Sequence, residues 1–185
     1  MKTHHQTYQV ADFHLRLAAA AEIPALVEHY NAIVAVNNAK PGRYIDWAPF
    51  AAERLAPAVD DQRLLIVEPR TGLEAPSISA AIIIDQAPDP QFWLASELPA
   101  HAVGFSKLGV SASLLGHNFG RTIAMPLVVQ WALQQKAEAL YCDALPHLDN
   151  YYKSLGFEKV GAASFFSDYH HKEVIVHKHT RNLGA

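Results

Sequence analysis

The order in which apolar residues switch between a two-residue and a 3.6-residue period constrains this fold most. Residues 13–17 (FHLRL) alternate like a half-buried strand. Ile23, Leu26, Val27, Tyr30 and Val34 then recur at helical spacing, with Pro24 early, where a helix lacks backbone partners anyway. Three extended runs follow: RLLIVE (63–68), SISAAIIID (77–85) and Val103–Val110. The turn-rich PRTGLEAP between the first two predicts an antiparallel pair. From Thr122 to Lys136 the helical period returns through Ile123, Leu127, Val128, Trp131 and Ala132, and Pro126 predicts a kink or the end of a first turn. ALYCD (139–143) reads as a short strand, and the stretch from Leu148 to Leu155, closed by Gly156, as a short helix. FEKVGAASFF and EVIVHKH read as two last strands around a turn near Asp168–Lys172. The order β-α-(α)-β-β-β-α-β-α-β-β mixes hairpins with crossover helices. It predicts an α/β (α+β) class: a mixed, mostly antiparallel sheet of about seven strands flanked by helices. No linker divides the chain, so residues 1–185 read as one domain with residues 1–12 as a flexible extension.

Half of the residues are apolar, enough for a core without disulfides or metal. A net charge of −3 with no basic stripe gives no footprint for nucleic acid. Cys142 is the single cysteine, which excludes a disulfide framework and a thiolate zinc cluster. The start MKTHHQTYQV lacks the apolar core of a signal peptide, and the longest fully apolar run, Ala80–Ile84, is too short to span a bilayer. The expectation is a soluble, cytoplasmic protein without membrane contact.

The stretch LLGHNFGR, Leu114 to Arg121, joins the strand ending at Val110 to the helix at Thr122. A glycine-containing turn into a helix exposes unpaired N–H groups, and the macrodipole adds about half a positive charge there. Gly116 and Gly120 permit positive φ and close backbone approach, and Asn118 tolerates the left-handed region best among other residues. The loop therefore reads either as a plain helix entry or as a phosphate nest formed by amides from Gly116 through Arg121. There is no Walker lysine pattern and no G-x-G-x-x-G.

A second stretch, YYKSLGF (Tyr151–Phe157), weighs toward the nest. With KLGV (Lys107–Val110), the loop Leu115–Gly120, the helix through Trp131 and the strand ALYCD, it resembles the GNAT superfamily of N-acetyltransferases, in sequential order and over residues 13–180. Leu115 stands where that family has Arg or Gln, and Asn118 where it has Gly. The resemblance implies acetyl-CoA as cosubstrate, held by Leu108, Gly109, Val110, Leu115, Gly116, His117, Asn118, Phe119, Gly120 and Arg121. It implies direct attack of an amine on the thioester, with Tyr152 donating a proton to the leaving sulfur and Tyr151 turned into packing. A backbone N–H of Leu108 or Val110 would polarise the carbonyl, beside a bulge near Gly109 that splays the sheet.

For the general base, Glu97, His101 and Asp143 are candidates beside a water chain. Tyr44, Trp47, Phe50, Phe92 and Trp93 lie in two irregular segments, where they either pack loops or shape an acceptor pocket; Trp47 and Trp93 are the candidate substrate contacts. His177 and His179 share one strand face without an evident third metal ligand, and Cys142 reads as core. The expected function is acetyl transfer to a small-molecule amine. A protein or peptide acceptor, or a non-catalytic module of the same fold, are the alternatives, and the resemblance leaves room for a homodimer.

Overall fold

The computed structural model describes residues 8–40, 47–85 and 87–184. In chain order the elements are β1 (Phe13–Leu17), α1 (Ile23–Asn38), α2 (Ala52–Asp60), β2 (Leu64–Pro69), β3 (Ala80–Asp85), β4 (Ala102–Val110), α3 (Met125–Gln134), β5 (Ala139–Ala144), α4 (Asp149–Ser154), β6 (Glu158–Ser167) and β7 (Lys172–Asn182). They form a seven-stranded sheet in the order β1-β2-β3-β4-β5-β7-β6. Every neighbouring pair is antiparallel except β4–β5, which the α3 crossover makes parallel. The order and the mixed, mostly antiparallel sheet are those expected from the periodicity.

Alternation along the strands divides the core in two. On one face, Leu64, Ile66, Ala81 and Ile83 pack against Leu26 and Tyr30 of α1 and Leu55 of α2. On the other, Leu65, Ile82, Phe105, Leu140 and Cys142 pack against Met125 and Val128 of α3 and Tyr152 of α4. Leu26 is wholly buried, and truncating such a side chain to alanine costs about 2–5 kcal/mol.

Two irregularities of β4 shape everything that follows. Against β3, Ala81 faces Gly109 while Ile83 faces Ser106, so two steps on β3 oppose three on β4. The extra residue is Lys107, whose φ is +52°. This bulge is pinned from above by α1: the Tyr30 hydroxyl donates to the Lys107 carbonyl at 2.9 Å, and His29 Nε2 lies 3.2 Å from the Gly109 carbonyl. The second irregularity concerns β5. Pairing runs through Ala102–Ala139, Val103–Leu140 and Gly104–Tyr141 and then stops. β5 stays paired with β7 as far as Ala144–His177, so β4 alone swings away. A gap opens between Phe105–Val110 and Cys142–Ala144.

Three local features depart from the sequence reading. The strand expected from Ser77 begins at Ala80, because the buried Ser79 donates to the Pro76 carbonyl at 2.7 Å and bends the chain. Pro126 sits in the first turn of α3, and a wide turn over Gly120–Ala124, with the Met125 N–H on the Gly120 carbonyl, precedes it. Proline cannot donate to the carbonyl four residues back and crowds it, which a wide turn relieves. Residues 8–12, expected in a flexible extension, pack instead: Tyr8 meets Phe13 and Phe119 edge-on at 5.5 and 6.1 Å. Among the described residues no helix is long and apolar enough to cross a membrane.

Candidate active site

The chain leaves β4 with the Ser111 N–H on the Ser79 carbonyl of the β3 side, at 2.9 Å. Because strand amides alternate in direction, the N–H groups of Val110 and Leu108 point the other way, into the gap. A short 3-10 turn, Ala112–Leu114, leads into the loop. There Gly116 (φ +85°) and Asn118 (φ +56°) adopt the left-handed conformation expected of them. Gly120 does not; it lies in the helical entry, and its missing side chain serves a close approach. A Cβ on Gly120 would stand 2.7 Å from the Tyr151 hydroxyl.

The amides of this loop divide into two sets. Local turns occupy those of Leu115, His117 and Arg121, which donate to Ala112, Leu114 and Asn118 at 3.3, 3.4 and 2.9 Å. The expected nest is therefore narrower than Gly116 through Arg121. For the N–H groups of Gly116, Asn118, Phe119 and Gly120 there is no acceptor among the described residues. Four open amides at the start of a helix form an anion site by construction.

They open on a cavity of about 440 Å³. Leu108 and Val110 line it from β4, and Leu115, Gly116, Asn118, Phe119, Gly120 and Arg121 from the loop. The end of α1 adds Asn37 and Lys40, the following segment Trp47, and α4 with its approach His147, Leu148, Tyr151 and Tyr152. Among the described residues no carboxylate lines it, although the chain is net acidic. Arg121 and Lys40 supply positive charge where Leu115 supplies none. Sequence reasoning missed the α1 contribution, since nothing in the sequence says that this helix end reaches the loop.

Two expected contacts lie elsewhere. His117 does not line the cavity, and neither does Gly109: a Cβ there would meet Tyr30 and Ile33 at 2.9 Å, so this glycine lets α1 sit on the bulge. Tyr151, expected in packing, lines the cavity beside Gly120. Tyr152 touches the cavity from the core. It is 8% exposed, its ring stacks on that of His179 at 5.2 Å, and it packs in one core cluster with Cys142. Burial raises the Tyr152 pKa well above that of a free phenol, so it holds its proton at neutral pH.

On the opposite face of the sheet lies a polar group without a place in that cavity. Trp93, expected at a substrate pocket, is 2% exposed, and its indole N–H donates to Asp143 Oδ1 at 2.5 Å. Burial pushes the Asp143 carboxyl up to about 6. Asp85, raised in the same way, accepts from the Ser106 hydroxyl at 3.1 Å. Of the other base candidates, Glu97 pairs with Lys178 and accepts the Leu94 N–H at 2.7 Å, and His101 is exposed in the turn before β4. Glu97 is thereby committed to a cation and to a backbone amide.

The remaining aromatics are structural. Phe50 stacks on Tyr30 at 4.5 Å and Phe92 leans on Phe165 at 5.6 Å, while Tyr44 lies outside the described residues. His177 and His179 share a face as expected and converge on Asp149, at 2.8 and 3.2 Å. No group of three ligands among the described residues is arranged for a metal ion.

No family model and no curated protein matches the sequence. Solved structures do. A protein provisionally named a phosphinothricin N-acetyltransferase superposes with a TM-score of 0.67 at 18% identity, covering 94% of this chain and 99% of that one. An aminoglycoside acetyltransferase, AAC(6')-Ib, in complex with coenzyme A and kanamycin gives 0.64 at 17% identity, with 92% and 94% covered. The ribosomal-protein-alanine N-acetyltransferase of Brucella melitensis gives 0.60 at 19%, with 91% and 98% covered. Nearly the whole chain is thus similar to nearly the whole of each: it has the α/β fold of the GNAT-type N-acetyltransferases.

Proposed function

We propose that the chain is an N-acetyltransferase that moves an acetyl group from acetyl-CoA to a primary amine of a small molecule. One observation carries the reading: four unpaired amides and a carboxylate-free cavity lie beside the gap where β4 leaves β5. An aqueous pocket on an acidic chain has no need of such a lining, and a diphosphate does.

Acetyl-CoA supplies an activated thioester. The amides of Gly116, Asn118, Phe119 and Gly120 would hold its diphosphate, with Arg121 and Lys40 adding charge. Leu108 and Val110 would flank the acyl arm, their gap-facing N–H groups polarising the thioester carbonyl. Tyr152, neutral and at the gap, would donate to the sulfur as the C–S bond breaks. Tyr151 closes the cavity over Gly120, which makes it a binding residue in this scheme.

Acetyl-CoA should raise the melting temperature of the protein in a concentration-dependent way, and thiol release should follow on adding amines. No stabilisation by acetyl-CoA or coenzyme A would refute the cofactor reading. Stabilisation without thiol release for any small amine, but with release for a peptide amine, would move the acceptor to protein.

A further inference from the structure

The acetyl-transfer reading leaves unused the polar group on the face of β4–β5 away from the cavity. Its members come from three strands. Asp85 ends β3, Ser106 lies on β4, and Tyr141 and Asp143 project from β5 on the side opposite to Cys142. Asp143 feels Asp85, and Tyr141 feels both. The Tyr141 ring lies over Gly104, where a Cβ would stand 2.6 Å from its hydroxyl oxygen, and Gly104 is the residue opposite Asp85 in the ladder. That hydroxyl belongs to a side chain 2% exposed and has no hydrogen-bond partner among the described residues.

Such a phenol is costly, because a buried hydroxyl without a hydrogen bond has lost its water and gained no partner. Two carboxylates flank it in partial burial; Lys107 and Arg63 act on Asp85 but only Lys178 on Asp143, so the phenol is short of a partner and Asp143 of positive charge. One species meets both needs, an alkylammonium: three N–H donors and one charge in a compact head. Lys178 does not meet them, since it is engaged by Glu97 and lies over the Trp93 ring at 5.2 Å.

We propose that the acceptor binds as a cationic amine, its ammonium held between Asp85 and Asp143 with Tyr141 oriented toward it, and that Asp143 takes its proton. The position of Asp143 supports this assignment. Its neighbour Cys142 packs with Tyr152 on the coenzyme side, so the proposed base and the proposed acid flank the same unpaired stretch of β5. The balance is simple. One N–H proton passes to the Asp143 carboxylate and on to water, the nitrogen lone pair forms the C–N bond, and the C–S bond breaks. A second nitrogen proton offsets the one that Tyr152 gives to sulfur. The acceptor class is then an amine carrying no carboxylate beside its nitrogen, because a further anion would meet Asp85, Asp143 and Asp89.

The Asp143 carboxyl sits at about 6, raised by burial and by Asp85 and Asp89 and lowered by Trp93 and Lys178. Asp85 is lowered in turn by Ser106, Lys107 and Arg63. A base of this kind works only when ionised, so kcat/KM should fall as pH drops through about 6.

The inference rests on the acetyl-transfer reading, and the test separates the two. Wild type, Asp143→Asn, Asp85→Asn and Tyr141→Phe are assayed for thiol release with butylamine, 1,4-diaminobutane and glycine. Melting temperature is followed with acetyl-CoA and, separately, with 1,4-diaminobutane. All four proteins should keep their acetyl-CoA stabilisation. Asp143→Asn keeps the Trp93 bond through its amide oxygen, and should lose roughly 100-fold in kcat/KM together with the acidic limb of the pH profile. Asp85→Asn should raise KM for the diamine roughly 10-fold with kcat nearly unchanged. Glycine should be the poorest acceptor, and the diamine should stabilise wild type but neither Asn variant. An Asp143→Asn enzyme near wild-type rates, glycine as the best acceptor, or a protein that binds acetyl-CoA but not the diamine overturns the inference alone. Diamine stabilisation without acetyl-CoA binding would leave the cation site standing and remove the acetyl-transfer reading.

Discussion

β4 and β5 meet twice, and the two meetings differ. At Ala102–Gly104 they are an ordinary parallel pair, with the Tyr141 ring fitted over Gly104. From Phe105 on, the Lys107 bulge turns β4 toward β3 and α1, and the same strands are parted. The closed end is made by the absence of a side chain, the open end by one residue too many. A parallel sheet is normally sealed on both faces. Here the unsealed half has the open loop amides and Tyr152 on one face and the part-buried Asp143 on the other. The fold breaks its sheet continuity at one place, and the proposed chemistry is assigned to that place.

The comparison can be broken from either end. The largest effect is expected at the open end. Gly120→Val would put a branched side chain where the Tyr151 hydroxyl stands at 2.7 Å, and should weaken acetyl-CoA binding at least ~100-fold, about 2.7 kcal/mol or more, by calorimetric titration. Unaltered affinity would remove the loop from the coenzyme site. Next, Tyr152→Phe should lower kcat about 10- to 100-fold while leaving acetyl-CoA affinity intact, with Tyr151→Phe showing the reverse pattern more weakly. Equal kcat losses in both would assign the acid role to neither. At the closed end, Gly104→Ala should destabilise the fold by about 1–3 kcal/mol in urea, since its Cβ would press into the Tyr141 ring.

Smallest is a pH effect on stability. The Asp143 carboxyl sits at about 6 when folded against an ordinary value of 3.8, so the native state binds the extra proton. Its contribution is present below pH 4 and lost as pH rises through 6. Asp143→Asn should therefore stabilise the protein at pH 8, by about 1 kcal/mol after allowing for solvent screening. The gain should vanish near pH 3.5. A variant that is less stable at pH 8 would show that Asp143 is held by more than Trp93.

Much of this was legible before any coordinates. The change of period along the chain gave the element order, because each strand or helix buries one face against the same sheet. Gly116 and Asn118 were legible as left-handed positions, since few residues suit them. What the sequence could not reveal depends on partners far along the chain. Trp93 reads as a pocket aromatic until Asp143, fifty residues later, is seen to hold its indole. Gly109 reads as a coenzyme contact until Tyr30 and Ile33 are found above it. Tyr151 and Tyr152 are neighbours on one short helix, and only the space left by Gly120 shows that both reach the cavity. The amides of His117 and Arg121 were lost to turns three residues long, a detail of loop geometry that composition does not encode.

The proposed coenzyme site turns on the open amides, and backbone nitrogen shifts measured during a coenzyme A titration test them most directly. Gly116, Asn118, Phe119 and Gly120 should move together and saturate at one affinity, while Leu115 and the Gly104 end of β4 stay still. Binding that leaves those four unmoved, or no binding at all, would contradict it.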